Sequence, residues 1–173
     1  NTDGIKGIIL SGSPYSVYDK NAFDFDLTLV RKKFPLLGIC YGAQWIVHKA
    51  GGKIEASKNR EYGKAFFESV NTNDPLFKGF NPLAPVWMSL GDSITRLPAE
   101  FEKIALTADI PVAAFKARGE ATWGVQFHPE ALQTEEGSKI LSNFLDLCNC
   151  ARNWTPASFI ESTVLELKRT LGN

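Results

Sequence analysis

An α/β fold with a mostly parallel central sheet, flanked by helices and extended by antiparallel strands, is predicted by three features of this sequence. Two short apolar runs, Lys6 to Ser11 (KGIILS) and Pro35 to Ile39 (PLLGI), have the length and composition of strands buried on both faces. Each is followed by a stretch with helical spacing. From Ala84 to Phe127 the pattern changes to closely spaced strand-like segments with no helix-length piece between them, as in a meander.

The elements follow in order. Lys6 to Ser11 reads as a strand that enters the turn Gly12-Ser13-Pro14. Asn21 to Lys32 carries Phe23, Leu27 and Val30 at helical spacing. Pro35 to Ile39 is the second strand, and Tyr41 to Ala50 continues as a helix ended by Gly51-Gly52. Strands are predicted at Gly52 to Ala56 and Lys64 to Val70, then a turn with one helical turn over Asn73 to Phe80. Four more follow at Ala84 to Ser89, Glu102 to Ala108, Val112 to Ala117 and Thr122 to Phe127. Glu135 to Asn149 is a helix whose stripe is Ile140, Leu141, Phe144, Leu145 and Cys148. A last helix opens at Pro156, capped by Thr155, and runs to Gly172.

At 173 residues, with 44% hydrophobic content, the chain suits one domain with a substantial core. No repeat or low-complexity linker divides it. The sequence opens almost directly into a buried-type strand, so elements ahead of Asn1 are expected to be missing. Nineteen basic residues balance nineteen acidic ones, so no global field favours nucleic acid or an anionic membrane. The apolar runs are too short to span a bilayer, and Asn1-Thr2-Asp3-Gly4 does not begin a secretory leader. Three sparse cysteines, Cys40, Cys148 and Cys150, fit a reducing cytoplasm. Cys148 and Cys150 are two apart on a predicted helix, so their side chains are expected to diverge, with neither a disulfide nor a metal site.

The chemistry concentrates in three short stretches. Gly38-Ile39-Cys40-Tyr41-Gly42 is a GxCxG pattern, the thiol counterpart of the nucleophile elbow. Flanking glycines let strand and helix approach closely. The helix N-terminus, aimed at the sulfur, favours thiolate, and the Tyr41 amide is placed to donate to an oxyanion. A base must come from His48 or His128, the two histidines in the chain. His48 is eight residues along the same predicted helix, about 12 Å away at ~1.5 Å per residue, beyond hydrogen-bond reach. His128 ends a predicted strand, precedes Pro129, and has Glu130 two residues on, close enough to fix its tautomer. Ser11-Gly12-Ser13-Pro14 ends the first strand at the sheet edge where such folds bind ligands, and it can supply a second oxyanion donor.

These stretches, SGSPYSVYD, LLGICYGAQ and WGVQFHPE, resemble in that order the class I, triad-type glutamine amidotransferases. Ser16-Val17-Tyr18, Arg60-Glu61-Tyr62-Gly63, Pro75-Leu76-Phe77-Lys78-Gly79 and Trp87-Met88-Ser89 resemble the glutaminase domains of the GMP synthetase branch. The resemblance implies a flavodoxin-like scaffold, with residues 1–154 as the amidotransferase domain and 155–173 as a helix leading towards a synthetase domain. It implies hydrolysis of L-glutamine to glutamate and ammonia, with Cys40 as nucleophile, His128 as base and Glu130 as its orienting acid. Amides of Ser13 and Tyr41 would form the oxyanion hole. Gly12, Gln44, Leu90, Gly91 and Asp92 would contact substrate.

The ammonia would pass to an ATP-pyrophosphatase synthetase unit that converts XMP to GMP. The glutaminase step would need no cofactor; ATP and magnesium would belong to the synthetase, whose Ser-Gly-Gly-Val-Asp-Ser loop does not occur in these residues. In two places the chain departs from the pattern: Ser13 stands where relatives carry glycine, and Leu90 where they carry histidine. Two other readings stay open: an amidotransferase-like binding module that is weakly active or depends on a partner, and a γ-glutamyl hydrolase on the same scaffold.

Overall fold

The computed structural model describes residues 3–20, 22, 25–153 and 155–172, and of 58–61 the backbone alone. Its centre is a mixed six-stranded sheet with helices against it. β1 (Ile8–Leu10) and β2 (Leu36–Ile39) are the two predicted apolar runs. Between them α1 (Leu27–Arg31) is opened by Asp26, whose carboxylate accepts the Thr28 amide at 2.9 Å. The expected helix began earlier, but Asn21, Phe23 and Asp24 lie outside the described residues. α2 (Tyr41–Lys49) follows β2 after one residue, Cys40.

β3 (Lys53–Ala65) and β4 (Phe67–Val70) lead through a 3₁₀ turn at Pro75–Phe77 to β5 (Val86–Arg96). β6 (Phe101–Thr107), β7 (Ala114–Ala117), β8 (Thr122–Val125), α3 (Gly137–Leu147) and α4 (Pro156–Leu171) complete the chain.

The strand order is β1-β2-β8-β7-β6-β4. β2 pairs in parallel with both β1 and β8, and Gly38 lies opposite Leu10 on one side and Gly124 on the other. β7, β6 and β4 extend the sheet in antiparallel fashion. Because β1, β2 and β8 point the same way, the residues after each strand emerge at one edge, the ligand-binding edge of open α/β sheets. Those residues are the turn at 11–14, Cys40, and the segment leading to His128.

β2 is buried at every residue, as a central strand covered on both faces must be. Leu36 faces a core formed with Trp45, Ile46, Val47 and Phe115. Leu37 and Ile39 face the opposite core, with Phe77, Phe127, Ile140 and Phe144. α2 is buried from Tyr41 through Val47, so the helix that carries the elbow has little freedom to move.

The structure departs from the sequence reading in three places. β3 and β5 are longer than expected and pair only with each other, as a separate antiparallel ribbon whose register shifts between Ala56 and Glu61. β5 does not stop at Ser89. It continues through Leu90-Gly91-Asp92, with alternate residues Val86, Met88 and Leu90 buried and Trp87, Ser89 and Gly91 on the other face.

Secondly, Cys148 and Cys150 do not diverge. α3 ends at Cys148, and Asn149 adopts a left-handed conformation (φ 51°). The Cys150 amide returns to Leu145 O at 3.0 Å and that of Asn149 to Asp146 O at 2.9 Å, a Schellman turn. This curls the chain so that Cys150 lies close to Cys148, and burial first, then the neighbouring thiol, raises the Cys148 pKa to about 11.

Thirdly, the α3 stripe is only partly buried: Ile140, Phe144 and Cys148 are covered, Leu145 is exposed. α4 begins as predicted, with Thr155 and Ser158 forming a reciprocal cap, but none of its described residues is buried.

Candidate active site

Cys40 occupies a bend that only a tightly packed elbow sustains. Its φ of 51° and ψ of −107° are unusual for a residue with a Cβ. The conformation is held on both sides. The Cys40 amide continues the β2–β8 ladder to Val125 O at 2.8 Å, and its carbonyl accepts the Gln44 amide at 3.1 Å, starting α2. The glycines permit the close approach. A Cβ on Gly38 would lie 2.6 Å from Ala43 N, and one on Gly42 would lie 2.1 Å from Leu10 O. The GxCxG spacing is therefore a steric requirement of the strand–helix junction.

His128 arrives from the far side of the same edge. After β8 the chain leaves the sheet: Gln126 still donates to Ala113 O at 2.8 Å, but the His128 amide donates to Trp87 O on β5 at 2.9 Å. The imidazole Nδ1 is 2.7 Å from Glu130 Oε1. An ionised carboxylate accepts only, so Nδ1 carries the proton and Nε2 is left as the basic nitrogen. That Nε2 is buried and makes no hydrogen bond to the protein.

The three segments meet. A Cβ built on Gly12 would sit 3.3 Å from His128 Cε1 and 3.7 Å from Cys40 Cβ. They line an open cleft of about 540 Å³ with Ser13, Ser16, Gln44, Tyr62, Ser89, Gly91 and Asp92. The Gln44 side chain donates to Asp92 O at 2.7 Å, and Ser16 Oγ donates to Asp92 Oδ2 at 2.7 Å. The turn after β1, helix α2 and strand β5 are thereby tied together around one wall.

The sequence-predicted residues largely converge, with two corrections. Leu90 does not line the cleft: it is fully buried in the hydrophobic core with Met88 and Phe127. In the alternation of β5 its side chain points away from the face that carries Ser89 and Gly91, and leucine there is a core residue.

The expectation of a thiolate-favouring elbow is also reversed. Burial raises the Cys40 pKa to about 11; the Tyr41 amide, bonded to the sulfur, opposes this, and the Glu130 charge adds to it. Desolvation of the anion outweighs one helix-terminal amide. The thiol instead leans towards Ser89 O, 3.8 Å away. A consequence is measurable. Alkylation of Cys40 by iodoacetamide is expected to climb about tenfold per pH unit from pH 7 to 10, following the thiolate fraction. A plateau below pH 8, read by peptide mass spectrometry, would contradict it.

Ser13 departs without backbone strain. Cys40 and Asn149 are the described non-glycine residues with positive φ, so Ser13 carries its Cβ without that strain. His48, set aside on distance, stacks edge-on against Tyr18 with ring centres 5.0 Å apart. Sequence reasoning gives no site role to Ser16, Tyr62 or Ser89. Ser16 and Tyr62 lie in stretches that carry only resemblance, and the expected strand stops at Ser89. Among the described residues no group of three or more His, Cys, Asp and Glu side chains is arranged to hold a metal ion. No helix among them is long and apolar enough to cross a membrane.

Comparison with known proteins supplies the family. The sequence profile of the family described as glutamine amidotransferase class-I matches residues 1–148. A glutamine-hydrolysing GMP synthase from Porphyromonas gingivalis is 59% identical over 98% of this chain and 34% of its own length. A second, from Bacteroides thetaiotaomicron, is 54% identical with the same coverage. The chain thus spans about a third of the length of these curated relatives. Among solved structures, a protein described as a GMP synthase subunit from Thermoplasma acidophilum superposes with a TM-score of 0.73 at 30% identity, covering 94% of this chain and 78% of that one. With a matched profile over most of its residues and a cysteine elbow facing a carboxylate-backed histidine, the chain belongs to the class-I glutamine amidotransferase family.

Proposed function

We propose that this chain is the glutaminase unit of a GMP synthase, hydrolysing L-glutamine to glutamate and ammonia through a thioester on Cys40. The observation that carries the reading is the meeting of Cys40, Glu130-backed His128 and the Gly12-Ser13 turn in one cleft. Because the thiol is neutral at rest, His128 Nε2 removes its proton as the sulfur attacks the side-chain amide carbon. The amides of Ser13 and Tyr41 receive the oxyanion. The C–N bond breaks, and the imidazolium returns its proton to the departing ammonia. A water molecule, deprotonated by the same nitrogen, then splits the thioester. Glu130 stabilises the imidazolium in both halves.

The cleft wall suits an amino acid. Gly12, Gln44, Gly91 and Asp92 surround it, and the Asp92 carboxylate supplies negative charge for an α-ammonium group. ATP-driven amination of XMP to GMP would belong to a synthetase unit that takes up the ammonia. The decisive test pairs the chain with such a unit. Glutamine should then support GMP formation, and an electrophilic glutamine analogue that labels Cys40 should abolish it while free ammonium still works. Loss of both activities, or labelling elsewhere, would refute the assignment.

A second reading has its own observation. His128 Nε2 lacks a hydrogen bond and the Cys40 thiol faces Ser89 O, so the pair is unengaged. On that reading hydrolysis is weak until a partner docks, and glutamate release by the chain alone separates the two.

A further inference from the structure

The backbone around His128 contains an arrangement that the reaction itself does not call for. In a closely paired antiparallel bridge, two residues exchange both N–H···O=C bonds. Trp87 of β5 and His128 make only one of the two. The His128 amide donates to Trp87 O at 2.9 Å. The other bond is interrupted by a side chain. The Trp87 amide donates to Thr134 Oγ1 at 3.0 Å, and that hydroxyl donates to His128 O at 2.6 Å. Thr134 is buried, with about 4% exposure. Its oxygen therefore stands inside the bridge, accepting from one strand and donating to the other.

From this we infer that Thr134 is a positioning residue for the general base: its hydroxyl sets the spacing between His128 and β5, and hence the reach of Nε2 towards Cys40. The inference rests on the mechanism proposed above. It goes further in assigning a role to a residue that touches neither sulfur nor the cleft.

Three observations support it. β5 is the common reference for both reacting groups, since Trp87 holds His128 and Ser89 O faces the Cys40 thiol two residues on. The loop between His128 and Thr134 is a chain of turns that cannot set this distance alone: Ala131 N bonds His128 O at 3.2 Å, and Thr134 N bonds Ala131 O at 3.0 Å. Pro129 cannot donate, so it offers no ladder bond of its own to hold the histidine against β5. A hydroxyl is needed because the site demands donor and acceptor on one atom. Among side chains of this size serine and threonine provide that, whereas valine keeps the shape and provides neither.

The test compares Thr134→Val and Thr134→Ser with the unaltered chain. Glutaminase kinetics and the ¹⁵N signature of the imidazole are both read, and His48 serves as an internal reference. Thr134→Val is expected to lower kcat about 100-fold, the cost of a misplacement near 1 Å, with KM nearly unchanged. It should also alter the Nδ1/Nε2 signals of His128 but not those of His48. Thr134→Ser should restore both. A Thr134→Val chain with unaltered kcat and His128 signals overturns the inference, as does a Thr134→Ser chain as impaired as valine. The NMR readout does not require turnover. An unaltered chain that fails to hydrolyse glutamine would count against the mechanism, and the His128 signals would still decide the role of Thr134.

Discussion

Replacing Cys40 by alanine should remove glutamine hydrolysis, lowering kcat by more than about 10⁴-fold, because no thioester forms without the sulfur. His128→Asn should fall nearly as far, since the resting thiol, with its pKa raised to about 11, offers almost no thiolate at neutral pH without a base. The two groups act as one unit, so the double variant should be no worse than either single one. Both substitutions remove or shrink side chains at the edge of the cleft, so the fold should survive and circular dichroism should be unchanged. A Cys40→Ala chain that retains hydrolysis would end the assignment. A double variant far below the singles would show the two residues acting independently.

Gly42→Ala is expected to be strongly damaging, because the added methyl group meets fixed atoms at the strand–helix junction beside the site. The new Cβ would sit 2.1 Å from Leu10 O and 2.7 Å from Leu10 C and Leu10 Cβ. All three atoms belong to the last residue of a strand bonded into the sheet, so no flexible side chain can swing aside. Either α2 lifts off the sheet or β1 yields. Overpacking of this kind costs roughly 3 kcal/mol, which for a chain of this size is a fall in Tm of roughly 6–12 °C. Activity should fall as well, because Leu10 leads directly into the Gly12-Ser13 turn and any retreat carries that turn away from Cys40. Gly91→Ala is the thermal control: its Cβ meets nothing within 4 Å and its φ is ordinary. Equal melting temperatures for the two variants would mean that the junction is not as tight as the geometry requires.

Much of the site is legible in the sequence, because its parts are local. The elbow is five consecutive residues whose glycines answer to contacts of their own strand and helix. The pairing of His128 with Glu130 spans two residues. His48 was excluded by helix rise alone. Thr155 and Pro156 announced α4. Strands β1, β2, β6 and β8 followed from apolar runs bounded by turn residues.

Properties that depend on distant chain segments were not legible. Whether Leu90 faces the cleft or the core is decided by the alternation of β5 against β3, and Gly91-Asp92 reads locally as a break. The return of Cys150 towards Cys148 hangs on a left-handed Asn149, a conformation that the residue type permits but does not demand. The role of Thr134 cannot be seen without Trp87, which comes from a ribbon outside the main sheet.

By itself, then, the sequence determined the α/β scaffold and singled out Cys40, His128 and Glu130 as the candidate nucleophile, base and orienting acid, because backbone sterics and short spacing act within a few residues. Tertiary structure alone decided that burial pushes the Cys40 thiol up, that Leu90 belongs to the core, and that a buried hydroxyl stands between β5 and His128. Desolvation and long-range strand pairing depend on which remote segments come to surround an atom, and no local pattern records that.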